Sequence, residues 1–126
     1  MGKSKYKNRP VIIAGIRYAS VKEAGRHKEL MLLEKTGKIK NLRFQVPYEL
    51  IPAQYETYER YGKKGQRLKD GRRCLEQSCK YVADFVYQDA GTGEWIIEDS
   101  KGKRTTDYII KRKLMLQVHG IRIHEV

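Results

Sequence analysis

The sequence predicts a mixed α/β domain in which helix, three strands, helix and strand follow one another. Three observations carry this. Ser20-Val21-Lys22-Glu23 has the form of a capping box, with Ser20 as N-cap and Glu23 at N3, and so opens a helix. Two apolar runs, Tyr81 to Tyr87 and Trp95 to Ile97, flank the Gly-rich turn Asp89-Ala90-Gly91-Thr92-Gly93, as strands of a hairpin do. After Gly120 the chain alternates from Ile121 to Val126, the pattern of a final strand behind a helix stop.

Residues 1–9 hold Lys3, Lys5, Lys7 and Arg9 without an acid, which predicts a flexible basic arm before a single domain over 10–126. Val11-Ile12-Ile13 and Ile16-Arg17-Tyr18 flank Ala14-Gly15 and suggest a short hairpin. The first helix should run to about Lys35 and stop at Gly37, with Val21, Ala24, Leu30, Met31 and Leu33 as its core stripe. Ile39 to about Tyr58 reads as extended. Pro47 and Pro52 interrupt it, so a bent strand or two pieces are expected. Residues 60–73 carry seven Lys or Arg against one Asp, with Gly62, Gly65 and Gly71; a mobile basic loop at about 59–73 is expected. Lys80 to Gln88 and Glu94 to Asp99 form the hairpin already described. Thr105 or Thr106 caps a second helix to about Val118, with Ile110, Leu114 and Val118 on its inner face.

The chain has 126 residues and is 40% hydrophobic, enough for one cored domain. Its formal net charge of +12 favours a polyanionic partner, and nucleic acid is the usual one. Cys74 and Cys79 lack a second pair, which makes a poor zinc site and reads as two reduced thiols. The basic N-terminus has no apolar stretch behind it, and no apolar run approaches the ~18 residues of a membrane span, so a cytoplasmic protein is expected. His27, His119 and His124 show no metal spacing, and Trp95 is expected to anchor the core.

The chemistry concentrates where charge enters the apolar runs. Asp84 lies amid Val82, Phe85 and Val86, while Asp99 and Lys101 follow Trp95, Ile96 and Ile97. In a strand, residues i and i+2 share a face, so Asp99 and Lys101 are neighbours and Glu98 points the other way; a bulge would exchange Glu98 for Asp99. Asp84 on the hairpin partner can approach Asp99. Two carboxylates so placed repel unless they share a cation, and their oxygens suit Mg²⁺ or Mn²⁺. Such an ion activates water and stabilises charge on a phosphoryl oxygen, with Lys101 orienting the water or stabilising the transition state.

Asp84 followed by Asp99-Ser100-Lys101 resembles the Asp…(Asp/Glu)-x-Lys signature of the PD-(D/E)XK nuclease superfamily. Over residues ~10–126 the chain is similar to a small family of phage-encoded proteins assigned there. The shared pattern appears as Gly15-Ile16-Arg17-Tyr18-Ala19-Ser20-Val21-Lys22-Glu23-Ala24, Gln45-Val46-Pro47-Tyr48-Glu49-Leu50, Tyr81-Val82-Ala83-Asp84-Phe85-Val86-Tyr87 and Glu98-Asp99-Ser100-Lys101-Gly102. Ala83 stands where the superfamily pattern has Pro. The resemblance implies a restriction-endonuclease-like αβββαβ core, a central mixed sheet flanked by helices. It also implies a Mg²⁺- or Mn²⁺-dependent DNA endonuclease in the host-cell cytoplasm. Holliday-junction or other branched-DNA cleavage by a homodimer follows by analogy. Catalytic residues would be Asp84, Asp99, Lys101 and Glu23, with Asp84, Asp99 and Glu23 on the metal; the plainer role of Glu23 is the capping box.

Lys103, Arg104, Lys111, Arg112 and Lys113 flank this site, and Tyr108 and Lys111 are i, i+3 neighbours on the second helix. With Lys63, Lys64 and Arg67 of the basic loop, Lys103, Arg104, Tyr108 and Lys111 form the expected DNA-binding set. Singly, each of these charges reads as a solvated surface residue; together they bracket the acidic site, and Tyr108 with Lys111 reads equally as a solvated face. Tyr55, Tyr58 and Tyr61 either stack on bases or edge the sheet. The competing function is a non-catalytic nucleic-acid-binding accessory protein in recombination or packaging.

Overall fold

The structure, a computed structural model, describes residues 11–13, 16–18, 20–100 and 104–126, with side chains from residue 20 onward. The expected arm at 1–9, Lys101 and Lys103 lie outside the described residues. In chain order the elements are β1 (Val11–Ile13), β2 (Ile16–Tyr18), α1 (Val21–Lys35), β3 (Ile39–Ile51), β4 (Gln54–Tyr61), β5 (Arg67–Glu76), β6 (Cys79–Asp89), β7 (Trp95–Asp99), α2 (Thr106–His119) and β8 (His124–Glu125). The mixed α/β class agrees with the sequence. The order does not reduce to the expected αβββαβ, because the hairpin β1–β2 precedes α1 and the hairpin β4–β5 interrupts the strands.

The main sheet has the order β3-β6-β7-β8, antiparallel except for the parallel pair β7–β8. A parallel pair needs a crossover, and α2 supplies it. Ala24 and Leu30 of α1 pack with Ile39, Phe85 and Tyr87. Tyr108 and Met115 of α2 pack with Leu50, Tyr81, Ala83, Val86 and Ile97. The sheet is therefore covered by one helix on each face, and β6 and β7 carry apolar residues on both.

Both helices end as their sequences suggest. Ser20 Oγ accepts the Glu23 N–H at 3.2 Å, and Thr105 Oγ1 accepts that of Tyr108 at 3.3 Å. At the C-terminus of α1, Gly37 (φ 81°) and Lys38 donate to the carbonyls of Glu34 and Leu33, a Schellman closure that needs the left-handed glycine.

The buried stripes differ from those expected. In α1 the inward residues are Ala24, His27 and Leu30, while Val21 and Met31 face solvent. His27 holds its place by stacking on Phe44 at 4.2 Å, and burial lowers its pKa. In α2, Tyr108 and Met115 face inward, with Ile110 and Val118 half exposed. Counting apolar residues placed the stripe wrongly because the buried Tyr108 is polar at its tip. Trp95, expected in the core, is 47% exposed at the start of β7.

β3 runs unbroken through Pro47, which lies opposite Val82. Proline lacks an N–H, and β3 has no second neighbour among the described strands to require one. The chain breaks instead at Pro52-Ala53. Residues 59–73, expected as a loop, are mostly the two strands of the hairpin β4–β5.

One irregularity shapes the sheet. Leu42 and Phe44 pack with the α1-side core, whereas Val46 and Tyr48 pack with the α2-side core. Phe85 and Tyr87 likewise lie on the α1 side, yet Tyr81 and Ala83 lie on the α2 side. Residues of equal parity thus change face between Phe44 and Val46 and between Ala83 and Phe85. Gln45, in the left-handed region at φ 50°, and Asp84 occupy the switch.

Phe85 is fully buried, so Phe85→Ala should cost about 3–5 kcal/mol in chemical denaturation. Ile110→Ala should change stability by no more than about 0.5 kcal/mol. Equal losses would contradict the assignment of the inner face of α2.

Candidate active site at a fork between two strands

Pairing of β6 with β7 runs from Gln88↔Trp95 to Phe85↔Glu98 and ends there. Asp84 and Asp99 are the next residues on the two strands. The strands part at this point, and Asp84 fills the opening: its Oδ2 accepts the Ser100 N–H at 2.8 Å. Ser100 Oγ is buried beside it and has no hydrogen-bond partner among the described residues. On the far side of β7, Asp99 pairs with Glu125 of β8, and the Val126 N–H donates to the Asp99 carbonyl at 3.0 Å.

Glu98 and Asp99 are both buried, at 0% and 1% exposure, and are served from opposite faces. Glu98 meets α1. Arg26 Nε donates to its Oε1 at 2.6 Å and Arg26 Nη2 to its Oε2 at 2.9 Å, a two-pronged ion pair completed by Tyr87 Oη at 2.6 Å. The bond to Glu98 raises the pKa of Arg26 further still. Burial first, and then the bond to Glu98, pushes the Tyr87 phenol up to about 12.

Asp99 lies on the α2 side, where Tyr81 Oη donates to its Oδ2. Burial is the main force raising the Tyr81 pKa, followed by this bond, with the charge of Asp84 adding to it. Tyr108 lies next to Tyr81, ring centroids 6.3 Å apart, and donates to Glu125 Oε2 at 2.6 Å. Glu125 also receives Arg104 at 2.8 Å and Arg112 at 3.3 Å. The Tyr108 bond foremost, then these arginines, holds the Glu125 carboxyl below its ordinary range. Asp84, Asp99 and Glu125 therefore stand in a row across β6, β7 and β8. Two arginines offset the charge of the last.

The expected opposition of Glu98 and Asp99 is observed. Glu23 sits half-buried in the first turn of α1, its N–H serving the cap. Among the described residues no group of three or more His, Cys, Asp or Glu side chains could hold a metal ion, so Glu23 is not assembled with Asp84 and Asp99 into such a group. Tyr108, expected at the DNA surface, is buried against Glu125 instead. Arg104 is tied to Glu125, Lys111 is half-buried, Lys63 and Lys64 form the tip of the β4–β5 hairpin, and Arg67 pairs with Asp70. Cys74 and Cys79 are free thiols. A cleft of ≈ 410 Å³ opens beside Ser100, between Lys22, Arg26 and Glu29 of α1 and the C-terminal Val126.

Sequence reasoning missed Arg26, Tyr81 and Glu125. Arg26 was signalled by its i+3 spacing from Glu23 on a helix facing two acids. Glu125 was signalled by its place in the alternating final strand. Nothing in the sequence paired Tyr81 with Asp99, since their contact spans two strands.

With that geometry in place, one family match decides the affiliation: the family described as protein of unknown function (DUF1064) matches residues 3–124. The chain belongs to the DUF1064 family. No curated protein and no solved structure matches it. Among its described residues no helix is long and apolar enough to cross a membrane.

Two outcomes follow for this DUF1064 domain. Arg26→Ala strands Glu98 as a buried charge and should cost about 3–5 kcal/mol by denaturant titration. Tyr87 has a folded pKa above its unfolded value near 10, so its contribution is complete below pH 10 and is lost as pH rises towards 12. Stability should fall across that window, and Tyr87→Phe should remove this part of the fall in a pH series of melts.

Proposed function

We propose that this chain is a metal-dependent DNA endonuclease that hydrolyses phosphodiester bonds. The observation that carries this reading is the fork, where Asp84 and Asp99 occupy adjoining positions on two parting strands, with the Ser100 N–H bonded to Asp84 and Lys101 next in sequence. With the hairpins β1–β2 and β4–β5 set aside, α1, β3, β6, β7, α2 and β8 follow the order of the PD-(D/E)XK nuclease core, which supports the same reading.

The residues present fit a Mg²⁺ or Mn²⁺ ion in their chemistry. Two carboxylates, and a buried Ser100 hydroxyl with no partner among the described residues, form an all-oxygen donor set. Mg²⁺ commonly takes only one or two protein carboxylates and completes its shell with water and phosphate oxygens. Asp84 and Asp99 would hold the ion, which when bound supplies an activated water and charge neutralisation at the phosphoryl group. Tyr81 orients Asp99 through its hydrogen bond, and Arg26 holds Glu98 on the opposite face, away from the donor set. Lys101 is assigned the role of stabilising developing charge. The +12 net charge draws the polyanionic substrate.

A second reading keeps the basic surface and assigns the acids to structure, as a nucleic-acid-binding protein without catalysis. It is favoured by the absence, among the described residues, of a group of three or more metal-ligating side chains, and by the engagement of Asp99 with Tyr81.

Incubation with linear and branched DNA in Mg²⁺ or Mn²⁺ separates the two. Loss of a metal ligand removes several kcal/mol of transition-state stabilisation, so Asp84→Asn and Asp99→Asn should each cut at least about 100-fold more slowly than the parent. Cleavage undiminished in both variants would refute the nuclease reading, and absence of cleavage in the parent would leave the binding reading standing.

A further inference from the structure

The β4–β5 hairpin stands apart from both cores. None of its residues belongs to either buried cluster or packs against one, and every residue of β4 is exposed. A two-stranded ribbon alone in water is marginal, so its own side chains must stabilise it. They do so by stacking. The Arg72 guanidinium lies 3.6 Å above the Tyr55 ring, and that of Arg73 lies 4.4 Å from the Tyr58 ring. Arg67 is 5.8 Å from Tyr61. Tyr58 also lies across Gly71, where an added Cβ would fall 2.2 Å from the ring, so a larger residue there would displace the tyrosine.

The charges of this ribbon are unevenly satisfied. Arg73 pairs with Glu56, Arg67 with Asp70, and Tyr61 donates to Glu59. Arg60, Lys63, Lys64, Lys69 and Arg72 have no ion-pair partner among the described residues. All five are exposed. Internal pairing has thus consumed most of the hairpin's acids and left its cations.

Two modes of nucleic-acid contact suit such an element, and the aromatic geometry decides between them. A single-strand platform needs open ring faces on which bases stack. Here Arg72 covers one face of Tyr55, Arg73 covers one face of Tyr58, and Tyr58 also lies against Gly71, so among the described residues only Tyr61 of the three rings lacks a closely stacked neighbour. Cation–π stacking occupies the face of a guanidinium and leaves its N–H edges for hydrogen bonds. A two-stranded ribbon is also one of the elements that the major groove of a duplex admits. At about 3.3 Å per residue, the eight residues of β4 reach about 26 Å from the sheet, with Lys63 and Lys64 at the tip.

We propose that the β4–β5 hairpin is a duplex-DNA-binding ribbon, which docks along a groove and grips the flanking phosphates through Arg60, Lys63, Lys64, Lys69 and Arg72. This rests on the reading that the chain acts on DNA, and it assigns the mode and the element of contact.

The test is fluorescence anisotropy with a labelled 25-base-pair duplex and its single strand, in EDTA so that no cleavage intervenes. The variant carries Arg60→Gln, Lys63→Gln, Lys64→Gln and Lys69→Gln, which spares the stacked arginines. Four lost phosphate contacts should weaken duplex binding by at least about tenfold and flatten the slope of log K against log salt by about 3 to 4. Thermal melting should match the parent, because the four residues lie outside both cores. Unchanged duplex affinity with an unchanged salt slope would overturn the proposal. So would a loss confined to the single strand. A parent that binds duplex through these residues but never cuts it would uphold the ribbon and sink the nuclease reading. A parent that cuts while the variant binds as tightly would do the reverse.

Discussion

Two consecutive carboxylates at the buried end of β7 constrain the rest of the fold. Glu98 and Asp99 must point to opposite faces of the sheet, and neither can stay ionised there without donors. The α1 face answers with Arg26 and Tyr87, and the α2 face with Tyr81. Each helix is thereby fixed by more than apolar contact. An ion pair ties α1 to β7, and the Tyr108–Glu125 bond ties α2 to the neighbouring β8. A shift of β7 by one residue would exchange Glu98 and Asp99 between environments built for different partners.

The face switch at Gln45 and Asp84 serves the same end. A regular β6 would place Tyr81, Ala83, Phe85 and Tyr87 on one side. The switch sends Tyr81 to Asp99 and Tyr87 to Glu98, so one strand supplies a phenol to each acid. It also puts Asp84 at the position where β6 leaves β7. The catalytic candidates thus sit at a break in regular pairing, where backbone N–H groups such as that of Ser100 become available to a carboxylate.

Local signals read well in the sequence. The Ser20 and Thr105 caps, the Gly37 and Gly120 stops, the hairpin β6–β7 and the opposition of Glu98 to Asp99 all follow from neighbours within four residues. Tertiary compensation did not read as well. His27 and Tyr108 lie inside because Phe44 and Glu125 receive them, and Ile110 and Val118 lie outside because no described element covers them. The 59–73 segment read as a loop because its glycines and charges resemble one. Its strands are held by tyrosine–arginine stacking across the ribbon, which binary apolar–polar patterning does not register. Of the candidate site, Asp84 and Asp99 were legible as charges within apolar runs, whereas the Arg26–Glu98 and Tyr81–Asp99 bonds join separate elements, and the second also needs the face switch.

The ends of the β4–β5 hairpin meet where β3 and β6 pair, at Ile51 and Cys79. The ribbon therefore behaves as an insertion whose removal or exchange would leave the main sheet in register. Loops that close on a preformed anchor cost little more when they lengthen. Because the hairpin adds nothing to either core, substitutions outside its stacking pairs would leave both cores intact, while the acids at the fork remain bound by the packing around them. The ribbon can thus change its exposed surface without disturbing the framework that carries it.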